Sequence, residues 1–292
     1  MRKYAIITST DWGYLYSTTA LINGLARYGN NVDLHIVITD DVLPEYLTGL
    51  PDWVHLIPLS TLGLLKELNP SNVDNRGLPW QVRYARYYVA QSLCSSGYST
   101  VSIVDSDCFV VGNIMTSFAR ACADQGHLVM VTNSMAWSGD PTQVTRATQP
   151  PYHCHWAFFD CGNHLTILKR VWELGLTNPY GDMVNLCRAV TDSNVKMEDV
   201  LPLPNHLWCI NRFWGYNMTL ILGGHQPVLL NNTTNEMVLS AHGKWFNPNY
   251  REKALENCKE IGQGRINTGI FAEIYKWFNE NGPVYCKPKE LV

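Results

Sequence analysis

The chain has 292 residues, 46% hydrophobic and 16% charged, with a formal net charge of −3. That length and apolar content can build a large buried core and exclude a disordered chain. The slight acidity excludes the overall basic footprint of a nucleic-acid binder. No window holds 18 uninterrupted apolar residues, so no membrane span is expected.

The opening residues, MRKYAIITST, pass straight into a strand-like run without the apolar region of a leader peptide. The nine cysteines are irregularly spaced and form no C-x-x-C pair. A chain of this length does not need disulfide staples, so reduced thiols and a cytoplasmic location are the expectation.

YAIITST (4–10) reads as a buried strand. STTALINGLARYG (17–29) sets Leu21, Leu25 and Tyr28 on one helical face and closes on Gly29-Asn30, a C-cap signal. VDLHIVIT (32–39) and VHLIPL (54–59) predict further strands. Residues 80–96 predict a helix with Val82, Ala85, Val89 and Leu93 inward, and a strand follows at 100–104. HLVMVTNS (127–134) predicts another strand, and the polar segment 138–151 a loop. HWAFFDCGN (155–163) mixes strand and turn signals. HLTILKRVWELG (164–175) and DMVNLCRAV (182–190) read as helices, and short strand candidates follow between 201 and 240.

Two amphipathic stretches, 249–262 and 267–282, end the chain. The second aligns Ile270, Phe271, Ile274, Trp277 and Phe278 on one face, which predicts a helix packed on the core. Weak peripheral membrane contact is the alternative, supported only by Lys276, Lys287 and Lys289. Strands alternating with helices predict an α/β architecture, a mostly parallel central sheet with helices on both faces. Residues 1–250 are expected to form the main domain and 251–292 a helical extension packed on it. In such sheets ligands bind beyond the carboxyl ends of the strands.

One such end carries IVDSDCFVVGNI (103–114), where Asp105 and Asp107 are separated only by Ser106. Two carboxylates this close repel unless a proton or a cation lies between them. Solvated acids in a turn would satisfy the pattern. So would a divalent cation with hard oxygen ligands, whose remaining coordination positions could take substrate phosphates.

This stretch resembles the D-x-D segment of GT-A-fold glycosyltransferases, particularly glycosyltransferase family 8. Three other segments resemble that family in the same order: TDWGY (10–14), RYARYYVAQSL (83–93) and SAHGKWFNP (240–248). The resemblance implies a GT-A-like (Rossmann-like) fold, with a smaller mixed C-terminal part and amphipathic C-terminal helices. It implies transfer of a hexose from a UDP-sugar to a glycan or other hydroxyl acceptor, with retention of configuration. It also implies Mn²⁺, with Mg²⁺ as the alternative.

By the same resemblance, Thr10, Asp11 and Tyr14 belong to the nucleotide-binding turn, with Asp11 and Tyr14 on the uracil. Arg86 faces the donor, and Arg83, one helical turn away, competes for that role. Asp105, Asp107 and His242 correspond to the metal ligands, and Ser106 to a neighbour of the ribose. Lys244 corresponds to the diphosphate lysine, although the family spaces it further from the histidine and follows it with Pro-Trp. His155, Ala157 and Asp160 correspond to the strand that shapes the sugar pocket. YGDMVNL (180–186) resembles a D-Q-D-x-L-N segment, aligning Asp182 and Asn185 with its acid and amide. Asp160 and Asp182 are the candidate catalytic carboxylates. Gly181 stands where the family has the glutamine beneath the anomeric carbon.

Three competing readings remain. His153, Cys154, His155, Cys161 and His164 suggest zinc, at a spacing no standard structural zinc site uses. A sugar nucleotidyltransferase would place a Gly- and Arg-rich loop after the first strand, which TSTDWGYLYS lacks. A catalytically inactive nucleotide- and metal-binding protein is kept open by Gly181.

Overall fold

A computed structural model describes residues 3–11, 14–29, 32–39, 49–69, 80–115, 118–132, 152–179, 181–208, 210–211, 218–242, 273–274, 276–278 and 280–281. The polar segment 138–151 and the amphipathic stretch 249–262 lie outside the described residues, as do Ile270, Phe271 and Lys244.

The apolar runs become strands and the 3.6-period segments become helices. In chain order these are β1 (Tyr4–Thr10), α1 (Leu15–Arg27), β2 (Asp33–Ile38), β3 (Val54–Pro58), α2 (Ala85–Ser95), β4 (Thr100–Val104), β5 (Cys108–Val110), α3 (Phe118–Asp124) and β6 (Val129–Thr132). There follow β7 (Tyr152–Asp160), α4 (Leu165–Thr177), α5 (Asp182–Asp192), β8 (Leu201–Leu203), α6 (Asn205–Trp208) and β9 (Ile210–Asn211). The short strands β10 (Met218–Ile221), β11 (Val228–Asn231), β12 (Glu236–Met237) and β13 (Ser240–His242) come last.

The stretch expected as one helix over 80–96 divides. Residues Trp80–Tyr84 are 3-10 and the α-helix begins at Ala85. A 3-10 turn stacks side chains three apart, and the Arg83 guanidinium accordingly lies 4.2 Å from the centre of the Trp80 ring.

The main sheet has the order β3-β2-β1-β4-β7-β6-β8. β1, β2, β3 and β4 pair in parallel, and β8 is parallel to β6. β7 runs antiparallel to both its neighbours, β4 and β6. The sheet is therefore mostly parallel, as expected, with one reversed strand near its middle.

Alternate residues on each strand feed opposite layers. Ile7, Ile103 and Phe159 pack with residues of α2, α4 and α5, among them Tyr87, Leu168 and Leu186. Ile6, Val104 and Phe158 pack with Leu21 and Ile22 of α1 and Ala123 of α3. Both faces are covered, which suits strands apolar on both sides.

A three-stranded sheet, β5-β13-β9, continues from the D-x-D turn, and a separate one joins β10, β11 and β12. Beneath the first, Phe109, Val111 and Ala241 cluster with Tyr28, Ile274 and Phe278. Arg27, at the end of α1, donates to the carbonyl oxygens of Phe278 and Asn281 at 2.7 and 3.2 Å. Of the predicted apolar face, Ile274 and Phe278 are fully buried and Trp277 partly so.

The expectation that the thiols are reduced is corrected at one pair. Cys94 at the end of α2 is disulfide-bonded to Cys161 after β7, with Cα atoms 5.0 Å apart. Register brings them together: Thr100 pairs with Asp160, and the Cys161 amide donates to Ser99 O at 2.9 Å. Cys108, Cys122, Cys154 and Cys187 are buried thiols outside the disulfide. No described helix is long and apolar enough to cross a membrane.

Candidate active site and metal centre

β1 and β4 end at the same edge of the sheet, so Thr10, Asp11 and Tyr14 face Asp105, Ser106 and Asp107 across a cavity of about 340 Å³. Trp80, Arg83 and Arg86 line it from the α2 side, and Asp182 from the start of α5. Because β7 is reversed, it is its first residues, His153, Cys154 and His155, that reach this edge.

Two glycines allow the close packing that positions the D-x-D turn. A Cβ at Gly24 of α1 would run into the Val110 carbonyl of β5. One at Gly112 would lie 2.8 Å from Leu239 Cδ2, on the chain that leads into β13.

Arg86 projects from α2 beneath the turn and is almost fully buried. Its Nη1 donates to Val104 O at 3.1 Å and to Asp105 Oδ1 at 2.5 Å, and Nη2 lies 3.8 Å from Asp182 Oδ2. A planar fork suits this bridging between two acids. Burial alone would push the Asp105 carboxyl up, but Arg86, His155 and His242 outweigh it and hold it well below the usual carboxylate range. Asp105 is therefore ionised at neutral pH.

The second oxygen of Asp105 faces histidines. His155 Nδ1 lies 2.5 Å from Asp105 Oδ2 and His242 Nε2 lies 3.7 Å from it. Since the carboxylate only accepts, His155 donates through Nδ1. His242 Nε2 also lies 3.1 Å from Asp107 Oδ1.

His242 arrives by way of a ladder. β13 pairs with β5 so that His242 sits opposite Cys108, and Trp156 Nε1 donates to Ser240 Oγ at 3.0 Å behind it. The His155 ring is sandwiched between those of His153 and His242, with centroids 3.2 and 3.3 Å away. Burial and the neighbouring imidazoles push His155 well down, and burial with His242 lowers His153 to about 3. Both are neutral at pH 7.

Asp105, His155 and His242 each offer a ligand atom within 4.8 Å of the others. Asp107 adds a second carboxylate beside the same His242 nitrogen. Carboxylate oxygens with imidazole nitrogens form a donor set that fits a divalent cation.

Thr10 Oγ1 hydrogen-bonds with Thr18 Oγ1 at 2.7 Å, and the Tyr14 amide donates to Asp11 O at 3.0 Å. These bonds tie the end of β1 to the start of α1. Asp182 is the first residue of α5, and its Oδ1 accepts from the Met183 amide at 2.9 Å. Burial, with Asp182 and Asp105 nearby, pushes the Cys154 thiol well above its usual value, so it stays protonated.

Asp160 is not brought to the cavity. It pairs with Thr100, at the opposite end of β4 from Asp105, and its carboxylate accepts from the Asn163 amide at 2.9 Å in the turn into α4. Five residues of extended chain separate Asp160 from His155, about 16 Å. Its placement argues against a catalytic part. Asn185 also turns inward, donating to Tyr84 Oη at 2.8 Å and Asn178 O at 2.6 Å. The zinc set is divided the same way: His153, Cys154 and His155 are at the cavity, while Cys161 is in the disulfide and His164 Nδ1 accepts from the Asp160 amide. Sequence reasoning missed His153 as a cavity residue. Its signal is the alternation that puts it on the same side of an extended chain as His155, and its Nδ1 is buried without a hydrogen-bond partner among the described residues.

No protein-family model matches the chain, and no curated protein sequence matches it. Solved structures do. One is the apo structure of WbbM, a bifunctional glycosyltransferase, at 15% identity and a TM-score of 0.48, covering 73% of this chain and 40% of that one. Another is the glycosyltransferase GlyE of Streptococcus pneumoniae TIGR4, at 14% identity and a TM-score of 0.44, covering 70% of this chain and 46% of that one. The chain thus spans less than half the length of either.

Proposed function

We propose that the chain is a metal-dependent glycosyltransferase that moves a hexose from a UDP-sugar to a hydroxyl acceptor with retention of configuration. The observation that carries this reading is the meeting of Asp105, Asp107 and His242, from distant parts of the sequence, beside Arg86 at the carboxyl end of the sheet.

Asp105, Asp107 and His242 would hold the cation, with His155 steadying Asp105 through its Nδ1–H. When bound, Mn²⁺ supplies Lewis-acid stabilisation of the negative charge on the departing diphosphate. Thr10, Asp11 and Tyr14 form the nucleotide side of the cavity. A carboxylate at Asp11 can accept from the base N–H while the Tyr14 ring covers its face. Lys244 would add positive charge near the diphosphate. Arg86 fixes Asp105 and Asp182 in place, and Ser106 stands at the ribose.

Asp182 faces the cavity from the start of α5, beside Arg86, where a carboxylate can stabilise an oxocarbenium-like anomeric carbon. Retention follows if the acceptor attacks from the side the diphosphate leaves. As the anomeric C–O bond to phosphate breaks, the acceptor oxygen bonds to that carbon and its proton passes to a phosphate oxygen. Such a route needs no separate protein base.

Calorimetry with UDP and Mn²⁺ tests the reading directly. UDP should bind in a Mn²⁺-dependent way, and Asp107→Ala should remove that dependence. Failure of UDP to bind, or unchanged binding by Asp107→Ala, would overturn it. The competing reading, binding without turnover, has Gly181 in its favour, since no side chain stands there. A panel of UDP-sugars assayed for hydrolysis and transfer separates the two.

A further inference from the structure

At the opposite, amino-terminal end of the parallel strands lies a second group of ligating side chains, independent of the cavity. Asp33 opens β2, and His35 follows two residues later on the same face. His55 of β3 is the direct register partner of His35. The two imidazole rings lie 4.6 Å apart, centre to centre, at 30°. His55 Nε2 is 3.8 Å from Asp33 Oδ1. One ligand atom from each of Asp33, His35 and His55 falls within 4.8 Å of the other two.

A fourth residue organises the group. Tyr98, in the connection between α2 and β4, donates its hydroxyl to Asp33 Oδ2 at 2.6 Å and lies 3.4 Å from His35 Nε2. A hydrogen bond to the non-ligating oxygen of a carboxylate is the usual way of aiming the other oxygen. Here Tyr98 holds Oδ2, and Oδ1 faces His55. The group is buried on one side and open on the other: His35 is 8% exposed, while the side chains of His55 and Asp33 are 43% and 37% exposed. An ion can reach it without any movement of the backbone.

The geometry points to a divalent transition-metal site formed by Asp33, His35 and His55, with zinc the best-matched ion. Two imidazoles and one carboxylate are a zinc donor set, and three protein ligands leave the fourth tetrahedral position to water. Ligand atoms about 2.0–2.2 Å from zinc stand roughly 3.4 Å apart in a tetrahedron. Small side-chain rotations bring the three residues to that spacing. The ion cross-links β2 to β3, the outermost strand of the main sheet, at an end where the cavity does not reach. Its role is therefore to pin the sheet edge, and this assignment does not depend on the glycosyltransferase reading.

The test uses Co²⁺ and Zn²⁺ alone, with the full chain carrying Asp107→Ala, His153→Gln and His242→Ala to silence the cavity, where His153, Cys154 and His155 form a further ligating group. That protein should still bind one equivalent of Co²⁺ and show the intense visible bands of a four-coordinate ion, displaced by Zn²⁺. Adding His55→Ala, an exposed position whose loss should leave the fold intact, should weaken binding by at least about tenfold. Zn²⁺ should raise the thermal midpoint of the cavity-silenced chain and not that of its His55→Ala derivative. In the otherwise unchanged chain, His55→Ala should leave Mn²⁺-dependent UDP binding as it was. Absence of Co²⁺ binding in the cavity-silenced chain, or binding that His55→Ala leaves unchanged, would overturn the site and reduce the group to a hydrogen-bonded Asp–His–Tyr cluster.

Discussion

The two ends of β7 carry the same kinds of residue and meet opposite fates. At its start, His153, Cys154 and His155 line the cavity, next to Asp105 and Asp182. At its end, Asp160, Cys161 and His164 close a turn and a disulfide. The sequence HCHWAFFDCGNH reads almost as a palindrome of ligand types. What separates the halves is strand direction. Had β7 run parallel to β4, Asp160 would have reached the D-x-D edge and the histidines the far one. Because it is antiparallel, the reverse holds. Chemistry-bearing residues become a site only through the end of the sheet at which the topology leaves them.

Substitutions at the two ends should behave as differently as this contrast demands. The greatest damage is expected from Arg86→Ala at the cavity end, which leaves Asp105 without its buried counter-charge. Breaking a buried pair in this way costs about 3–5 kcal/mol, to be read from denaturant unfolding of the metal-free protein. The pair's stabilisation is present above the ordinary carboxylate pKa of about 3.9 and is lost as pH falls through the lower folded value. Asp107→Ala should leave folding nearly intact and reduce Mn²⁺-dependent transfer by about 10²–10³-fold, measured as initial rates.

At the other end, Cys94→Ser should lower stability by about 2–4 kcal/mol and leave UDP affinity unchanged. A loss of UDP binding there would mean that the two ends are coupled.

Acid provides a gentler probe of the cavity end. The folded chain keeps His153 neutral down to about pH 3, whereas the unfolded chain takes up that proton near 6.5. Stability should therefore fall as pH drops through that window. His153→Gln should flatten the slope in thermal melts recorded without metal.

The smallest effect belongs to Asp160→Asn. Transfer should stay within about twofold and stability within about 1 kcal/mol, since the amide oxygen can still accept from Asn163. A large loss of transfer would restore Asp160 to the chemistry and break the contrast.

Much of the fold was legible because its signals are local. Apolar runs gave β1, β2 and β4 within a residue or two, and helical spacing gave α1, α4 and α5. Strand direction is not local. Nothing in HWAFFDCGN distinguishes a parallel from an antiparallel partner, so the family resemblance could assign both His155 and Asp160 to the sugar pocket although they lie at opposite ends of β7. The disulfide was hidden for the same reason, since Cys94 and Cys161 meet only through the register of β4 with β7. At the site, Asp105 and Asp107 could be picked out by their position after an apolar strand, and Arg86 and His242 only through the family resemblance. The group around Asp33, His35 and His55 left no motif, because its members meet across strands.

The β5–β13 ladder has a consequence for the order in which the protein is made. Asp105 and Asp107 emerge from the ribosome long before His242, and His242 is positioned only when Ser240–His242 zips onto Cys108–Val110. Such long-range pairing is closed late, after most loop-closure entropy has been spent. A nascent or truncated chain ending before β13 carries both acids without their third partner. If the proposed cation site holds, tight cation binding at the cavity would mark a polypeptide whose synthesis and folding have both reached His242.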